Sequence, residues 1–166
     1  MTAAPAEIRL LAPDEAALYR DIRLEGLQRD ADAFAATFEH ESARPLSWFA
    51  ERVVKGNVFG AFVRGELLGV AGCWPQDGAK ESHKAMVWGM YVRAAARNAG
   101  LGRQLMQAVV EHGTGRVEQL QLGVATGNEA ALRLYKSAGF SEYGREMKAL
   151  KQDGRTIDEI LMVRFL

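Results

Sequence analysis

The stretch Met86 to Gln107, MVWGMYVRAAARNAGLGRQLMQ, constrains the fold more than any other part of the chain. Met86-Val87-Trp88-Gly89-Met90-Tyr91-Val92 is rich in β-branched and aromatic residues and reads as a strand buried on both faces. After a short loop of small and basic residues, Leu101, Leu105, Val109 and Val110 recur at the spacing of one apolar helix stripe. The junction Arg97-Asn98-Ala99-Gly100-Leu101-Gly102-Arg103 therefore lies between a strand and the first turn of a helix. The first amides of a helix have no partner within it, and glycines admit close approach to that backbone, so the junction can cradle an anionic phosphate. Arg97 and Arg103 would add charge. The same glycines also suit a tight turn and close helix packing, and RNAGLG is neither a Gly-Lys-Ser/Thr phosphate loop nor the Gly-x-Gly-x-x-Gly dinucleotide signature.

The flanking sequence supplies the rest of the architecture. Ile8 to Leu11 reads as a first strand, and Pro13-Asp14 as a helix start with Asp14 the N-cap candidate, burying Leu18 and Ile22 with Leu27 a further candidate. Periodicity fails from Arg29 to Arg44, which is either a lid over a site or a surface connection. It returns from Pro45 to Lys55 through Leu46, Phe49, Val53 and Val54, ended by Gly56-Asn57. Val58 to Val63 and Leu67 to Trp74 flank Arg64-Gly65-Glu66 as an antiparallel hairpin. Gly113-Thr114-Gly115 closes the central helix, and Val117 to Ala125 follows as a strand with Leu120, Leu122 and Val124 on one face. A helix between two such strands is a crossover, so the strands should be parallel.

Asn128 then caps a short helix, Glu129 to Ser137, stopped by Gly139. Ala131, Leu134 and Tyr135 share one side of it, so Tyr135 can point inward, although a half-buried packing tyrosine is the common alternative. Phe140 to Leu150 and Ile157 to Phe165 form a hairpin around Gln152-Asp153-Gly154-Arg155. As an edge strand, Ile157 to Phe165 could pair two subunits into a homodimer. The expectation is an α/β chain, one domain over 1–166, with a mixed central sheet of about six to seven strands and about four flanking helices.

Composition removes other classes. Lys plus Arg and Asp plus Glu number 21 each, so no global field recruits nucleic acid or a membrane surface and any anion site is local. The single cysteine, Cys73, lies in the apolar run Leu67 to Trp74 and reads as a buried thiol. No apolar run is long enough to span a bilayer, and the beginning MTAAPAEIRL lacks a basic segment followed by an apolar one, which points to the cytoplasm. No Cys, His or Asp spacing suggests a metal.

Together these stretches resemble the Gcn5-related N-acetyltransferase superfamily. Its signature Gln/Arg-x-x-Gly-x-Gly/Ala is matched by Arg97-Asn98-Ala99-Gly100-Leu101-Gly102, and its later pattern Asn-x-x-Ala-x-x-Leu-Tyr-x-x-x-Gly-Phe by Asn128, Ala131, Leu134, Tyr135, Gly139 and Phe140. One departure is Ala94, where the family often has proline. The resemblance implies acetyl-coenzyme A as cosubstrate, no metal, and transfer to a primary amine of a small molecule or peptide. It implies that backbone groups of Met90 and Val92 pair with the pantetheine arm, and that amides from Asn98 through Arg103 hold the pyrophosphate. An amide near Met90 or Tyr91 would stabilise charge on the acetyl oxygen, and Tyr135 would protonate the departing thiolate. Asn128 would order its helix and contact the cofactor arm. For a base, Glu81 and His83 before the strand, and Glu39, His40 and Glu41 in the irregular segment, are candidates, each with a solvated surface role as its alternative. A chain of this kind could instead sense acyl-coenzyme A, or bind a partner, without turnover.

Overall fold

Val87 and its neighbours do form a strand, the fourth of seven. The computed structural model describes residues 4–166; the first residues of MTAAPAEIRL, on which the targeting expectation partly rests, lie outside them. Strand β1 (Ala6–Leu10) leads through a 3-10 turn into α1 (Ala16–Arg29), α2 (Phe38–Ser42) and α3 (Leu46–Lys55). Then come β2 (Phe59–Val63), β3 (Glu66–Pro75), β4 (Lys84–Val92), α4 (Leu101–Gly113), β5 (Gln119–Ala125), α5 (Glu129–Ser137), β6 (Ser141–Gln152) and β7 (Arg155–Phe165). The sheet order is β1-β2-β3-β4-β5-β7-β6, antiparallel except where β4 runs parallel to β5.

The turns follow from local chemistry. Arg64 and Gly65 have φ of 50° and 79°, and Asp153 and Gly154 have 50° and 77°. Two successive left-handed residues match the twist of the strands they join. Apolar periodicity then sorts the helices onto the two faces. On one face Leu101, Leu105, Met106 and Val109 of α4 and Tyr135 of α5 pack against Leu120, Leu122 and Met162. On the other, Tyr19 and Ile22 of α1 and Phe49 and Val53 of α3 cover Phe62, Val70 and Tyr91.

Several expectations change. Leu18 is 45% exposed and Tyr19 takes the buried position, because α1 presents Tyr19, Ile22 and Leu27 to the sheet. Leu46 and Val54 are likewise exposed while Phe49 and Val53 are buried. Asp14 makes no capping bond; the Glu15 carboxylate accepts from the Ala12 amide at 2.7 Å and pairs with Arg9. β4 is not buried on both faces: Tyr91 is covered by α1, but Met86 is exposed and Trp88 and Met90 are half-buried. Nor is β7 an edge strand. It lies between β5 and β6, and β6 forms the edge. β6 is exposed from Ser141 through Lys148 and carries Glu142, Arg145, Glu146 and Lys148, the charged composition that edges tolerate, whereas Met162 and Val163 of β7 are buried.

Candidate active site

The parallel pair β4 and β5 is short. Only Lys84, Ala85 and Met86 pair, with Gln119, Leu120 and Gln121 respectively, and beyond that point the strands separate. Val87 to Val92 then bond to β3 alone and Leu122 to Ala125 to β7 alone, so a wedge opens in the middle of the sheet. One wall is irregular by design of sequence. Val70 pairs with Tyr91 and Gly72 with Trp88, so Gly89 and Met90 together oppose Ala71, and Gly89 has φ of 63°. A bulge of this type takes backbone groups out of the ladder and re-aims them, and glycine is the residue that adopts that φ without strain.

Behind the bulge lies a buried ion pair. Arg23 on α1 donates two hydrogen bonds, of 2.9 and 2.8 Å, to Glu41 on α2. The two residues are 6% and 2% exposed. A Cβ added at Gly89 would stand 3.5 Å from the Arg23 guanidinium, which also faces the rings of Phe34 and Trp88. Glu41 is therefore a structural carboxylate, occupied by Arg23, and not a free group for a cationic acceptor. Glu39 and His40 are exposed, with His40 against Arg44. Glu81 and His83 lie at the closed end of the wedge, where Glu81 pairs with Lys84 and the His83 carbonyl accepts from the Glu118 amide. Neither Glu81 nor His83 is at the open end. A second network fixes the far end of β4: Glu25 accepts from the Tyr91 hydroxyl at 2.8 Å and from Arg93 at 2.6 Å. Neither α1 residue, Arg23 nor Glu25, was marked by motif or spacing; their only trace is charge beside an apolar helix stripe.

The junction after β4 has the geometry of an anion cradle. Asn98 and Gly100 have φ of 64° and 83°, and Gly100 is the N-cap of α4. The nearest non-neighbouring atom to a Cβ built on Gly100 is 4.0 Å away, so the backbone there is open to a ligand. Gly102 is different. A Cβ there would lie 3.2 Å from Leu134, so this glycine permits α4 to pack on α5. Leu101 is buried beneath the cradle, Asn98, Ala99 and Arg103 are exposed, and the first amides of a thirteen-residue helix face outward. These residues fit a pyrophosphate. Arg97 contributes differently from expectation: it donates to the Val92 carbonyl at 3.0 Å and to Asp30 at 2.8 Å, so its charge orders the loop.

On the other wall, Asn128 accepts from the Ala131 amide at 3.2 Å and caps α5 as its sequence position indicates. Tyr135, one turn further, is 8% exposed and packs edge-on against Phe140 at 6.1 Å between centroids. Burial alone pushes its hydroxyl up to about 12. It therefore stays protonated at neutral pH. Cys73, also buried, is raised to about 11 and is no nucleophile. A cleft of about 850 Å³ opens at the mouth of the wedge, lined by Asp30 and Asp32 after α1, by Arg97, by Thr126 to Asn128, and by Arg155 to Asp158. Asp32 and Arg155 bridge it at 3.0 Å. The irregular segment from Arg29 therefore forms a wall of the cleft.

A sheet split between parallel strands, with an anion cradle at the exit of one and a buried tyrosine on the helix after the other, is the arrangement that the resemblance to the N-acetyltransferases implies. Residues 23–140 match the Acetyltransferase (GNAT) family, and the chain belongs to that family. It is 33% identical over 128 residues to the L-methionine sulfoximine/L-methionine sulfone acetyltransferase of Pseudomonas aeruginosa, covering 72% of each chain. It is 30% identical to the N-alpha-acetyltransferase RimI of Mycobacterium tuberculosis, covering 76% of this chain and 80% of that protein. Among solved structures it superposes with a TM-score of 0.81 on the ribosomal-protein-alanine N-acetyltransferase of Brucella melitensis, at 24% identity over 96% of this chain and 99% of that one. Another neighbour is yncA of Salmonella typhimurium with its cofactor acetyl-CoA, at a TM-score of 0.82 and 20% identity over 98% of this chain and 95% of that one. The chain is an acetyl-coenzyme A-dependent N-acetyltransferase. Among the described residues no helix is long and apolar enough to cross a membrane, and no group of three His, Cys, Asp or Glu converges as a metal site.

Proposed function

We propose that this chain acetylates the α-amino group of a small amino acid or of a peptide N-terminus, by direct attack of the amine on the thioester. The observation that carries the reading is the wedge between β4 and β5, with a glycine bulge in one wall and a buried, protonated tyrosine on the side of α5. The named relatives support the acceptor class, since one acts on L-methionine derivatives and the other is an N-alpha-acetyltransferase. A peptide's α-amine, with a pKa near 8, also needs less help to become neutral than a lysine near 10.4.

In this reading the β4 backbone at Met90 and Val92, no longer paired with β5, binds the pantetheine arm as a neighbouring strand would. The amides of Asn98, Ala99, Gly100, Leu101, Gly102 and Arg103 hold the pyrophosphate, with Arg97 ordering their loop from Asp30. The bulge directs a backbone amide at Met90 or Tyr91 to the acetyl oxygen, where negative charge develops as nitrogen bonds to carbon. Tyr135 gives its proton to sulfur as the carbon–sulfur bond breaks, and Asn128 fixes the helix that carries it. The whole chain, 1–166, acts as one domain in the cytoplasm on a small or peptide acceptor, with no call on nucleic acid or membrane. If two copies pair through their sheets they use β1 or β6, the actual edges.

Thiol release from acetyl-coenzyme A tests this, run with L-methionine sulfone, L-methionine sulfoximine, an alanine-initiated peptide, a polyamine and an aminoglycoside. Turnover is expected on the α-amines, and Tyr135→Phe should lower kcat about 10²-fold or more while KM for acetyl-coenzyme A changes little. Tight cosubstrate binding without turnover on any amine would replace the transferase with a sensor.

A further inference from the structure

Gly123 lies two positions past Gln121, the last β5 residue paired with β4, and so borders the wedge. Leu120, Leu122 and Val124 point into the core beneath α4 and α5; by the two-residue period Gln121 and Gly123 present the opposite face. On β7, Ile160 and Met162 join the same core, which leaves Glu159 and Leu161 on the face of Gly123. A Cβ built on Gly123 would stand 3.3 Å from Glu159 Oε1 and 3.5 Å from Oε2. The carboxylate therefore lies across the β5 backbone, filling the volume that a β5 side chain would occupy at the floor of the wedge.

The surroundings of Glu159 separate it from a structural carboxylate. Asp158, its neighbour on the opposite face, is held by Arg145 at 2.6 Å and by the Lys148 amide at 2.7 Å. Glu159 instead faces Glu146, directly across on β6, while the β5 residues against it, Gly123 and Ala125, carry no titratable group. Arg145 shares the face of Asp158 and pairs there. A half-buried carboxylate beside a glycine, with a like charge opposite it, is poised to meet a cation.

We propose that Glu159 receives the acceptor's ammonium group and removes its proton, which makes it the base of the reaction. The inference rests on the transferase reading above. The ammonium gives one proton to Glu159, the neutral amine forms the carbon–nitrogen bond, and the nitrogen then sheds a second proton. The carbon–sulfur bond breaks, Tyr135 supplies the proton that the thiolate takes, and Tyr135 recovers one of the two released by nitrogen; the other leaves to solvent. Base and acid come from opposite faces of the split sheet, Glu159 from the face of Gly123 and Tyr135 from the face covered by α4 and α5. Burial and Glu146 hold the Glu159 carboxyl above the usual range, which strengthens it as a base.

The test measures kcat/KM against pH with L-methionine sulfone for wild type, Glu159→Gln and Glu146→Gln, together with Tm. Wild type should show its acid limb below the acceptor's own ammonium pKa. Glu159→Gln should lose about 10²-fold at neutral pH and move that limb up to the acceptor's own ammonium pKa. Glu146→Gln should move the limb down, because a repelling charge is gone. At neutral pH the Tm of Glu159→Gln should equal or exceed that of wild type, since a charge disfavoured by folding has been removed. Turnover by wild type with an unchanged rate and limb in Glu159→Gln would overturn Glu159 as base and leave the transferase standing. Binding without turnover by wild type across the acceptor panel would overturn both.

Discussion

Arg23 and Glu41 show how a buried charged pair can brace the strand that borders the wedge. Each is almost wholly removed from water, and their two hydrogen bonds leave no lone charge behind the Gly89 bulge. Removing one partner strands the other, so Glu41→Ala should cost about 3–5 kcal/mol in denaturant unfolding. A loss under about 1 kcal/mol would show that water reaches the site and that the pair is dispensable. Residue by residue, the sequence disclosed what depends on neighbours along the chain. Asn128 caps, Gly100 takes a left-handed φ and Cys73 is buried, each as its local context indicates. It did not disclose Arg23 with Glu41, or Glu25 with Tyr91, because partners 18 and 66 positions apart are chosen by the fold.

At the scale of elements, periodicity located the strands and four of the helices within two or three residues but missed α2, a single short turn inside the irregular segment, and the crossover from β4 through α4 to β5 made the one parallel pair legible. Which strand takes the edge was misread although the apolar run Ile160 to Val163 in β7, against the polar β6, marks β7 as the inner strand. The bulge was also missed; it arises from the pairing of Ala71 against two residues, which no spacing within β4 records. That bulge supports a prediction. Gly89→Ala forces a side chain into a left-handed φ, costing about 1–2 kcal/mol, and shifts the backbone that faces the wedge. Its kcat should fall by about tenfold or more at a temperature where both proteins are folded, and an unchanged kcat would remove the bulge from the reaction.

The whole molecule carries a signature at high pH. Tyr19, Tyr91 and Tyr135 are each raised to about 12, chiefly by desolvation on folding. Groups raised in this direction contribute stability that is complete below their unfolded value near 10 and disappears as pH climbs through 12. Tm should therefore drop steeply between pH 10 and 12, and less so in a Tyr19→Phe, Tyr135→Phe double variant; parallel curves would contradict the assignment. The same architecture sets how the molecule breathes. Three rungs between β4 and β5 are all the ladder that joins the four-stranded half of the sheet to the three-stranded half. Within β4 and β5, amide deuteration should consequently be faster along Val87 to Val92 and Leu122 to Ala125 than at the three paired rungs. A bound acetyl-coenzyme A would act as the mortar of that seam, slowing deuterium uptake on both sides of it together and adding about 2.7 kcal/mol of stability at a hundredfold excess over Kd.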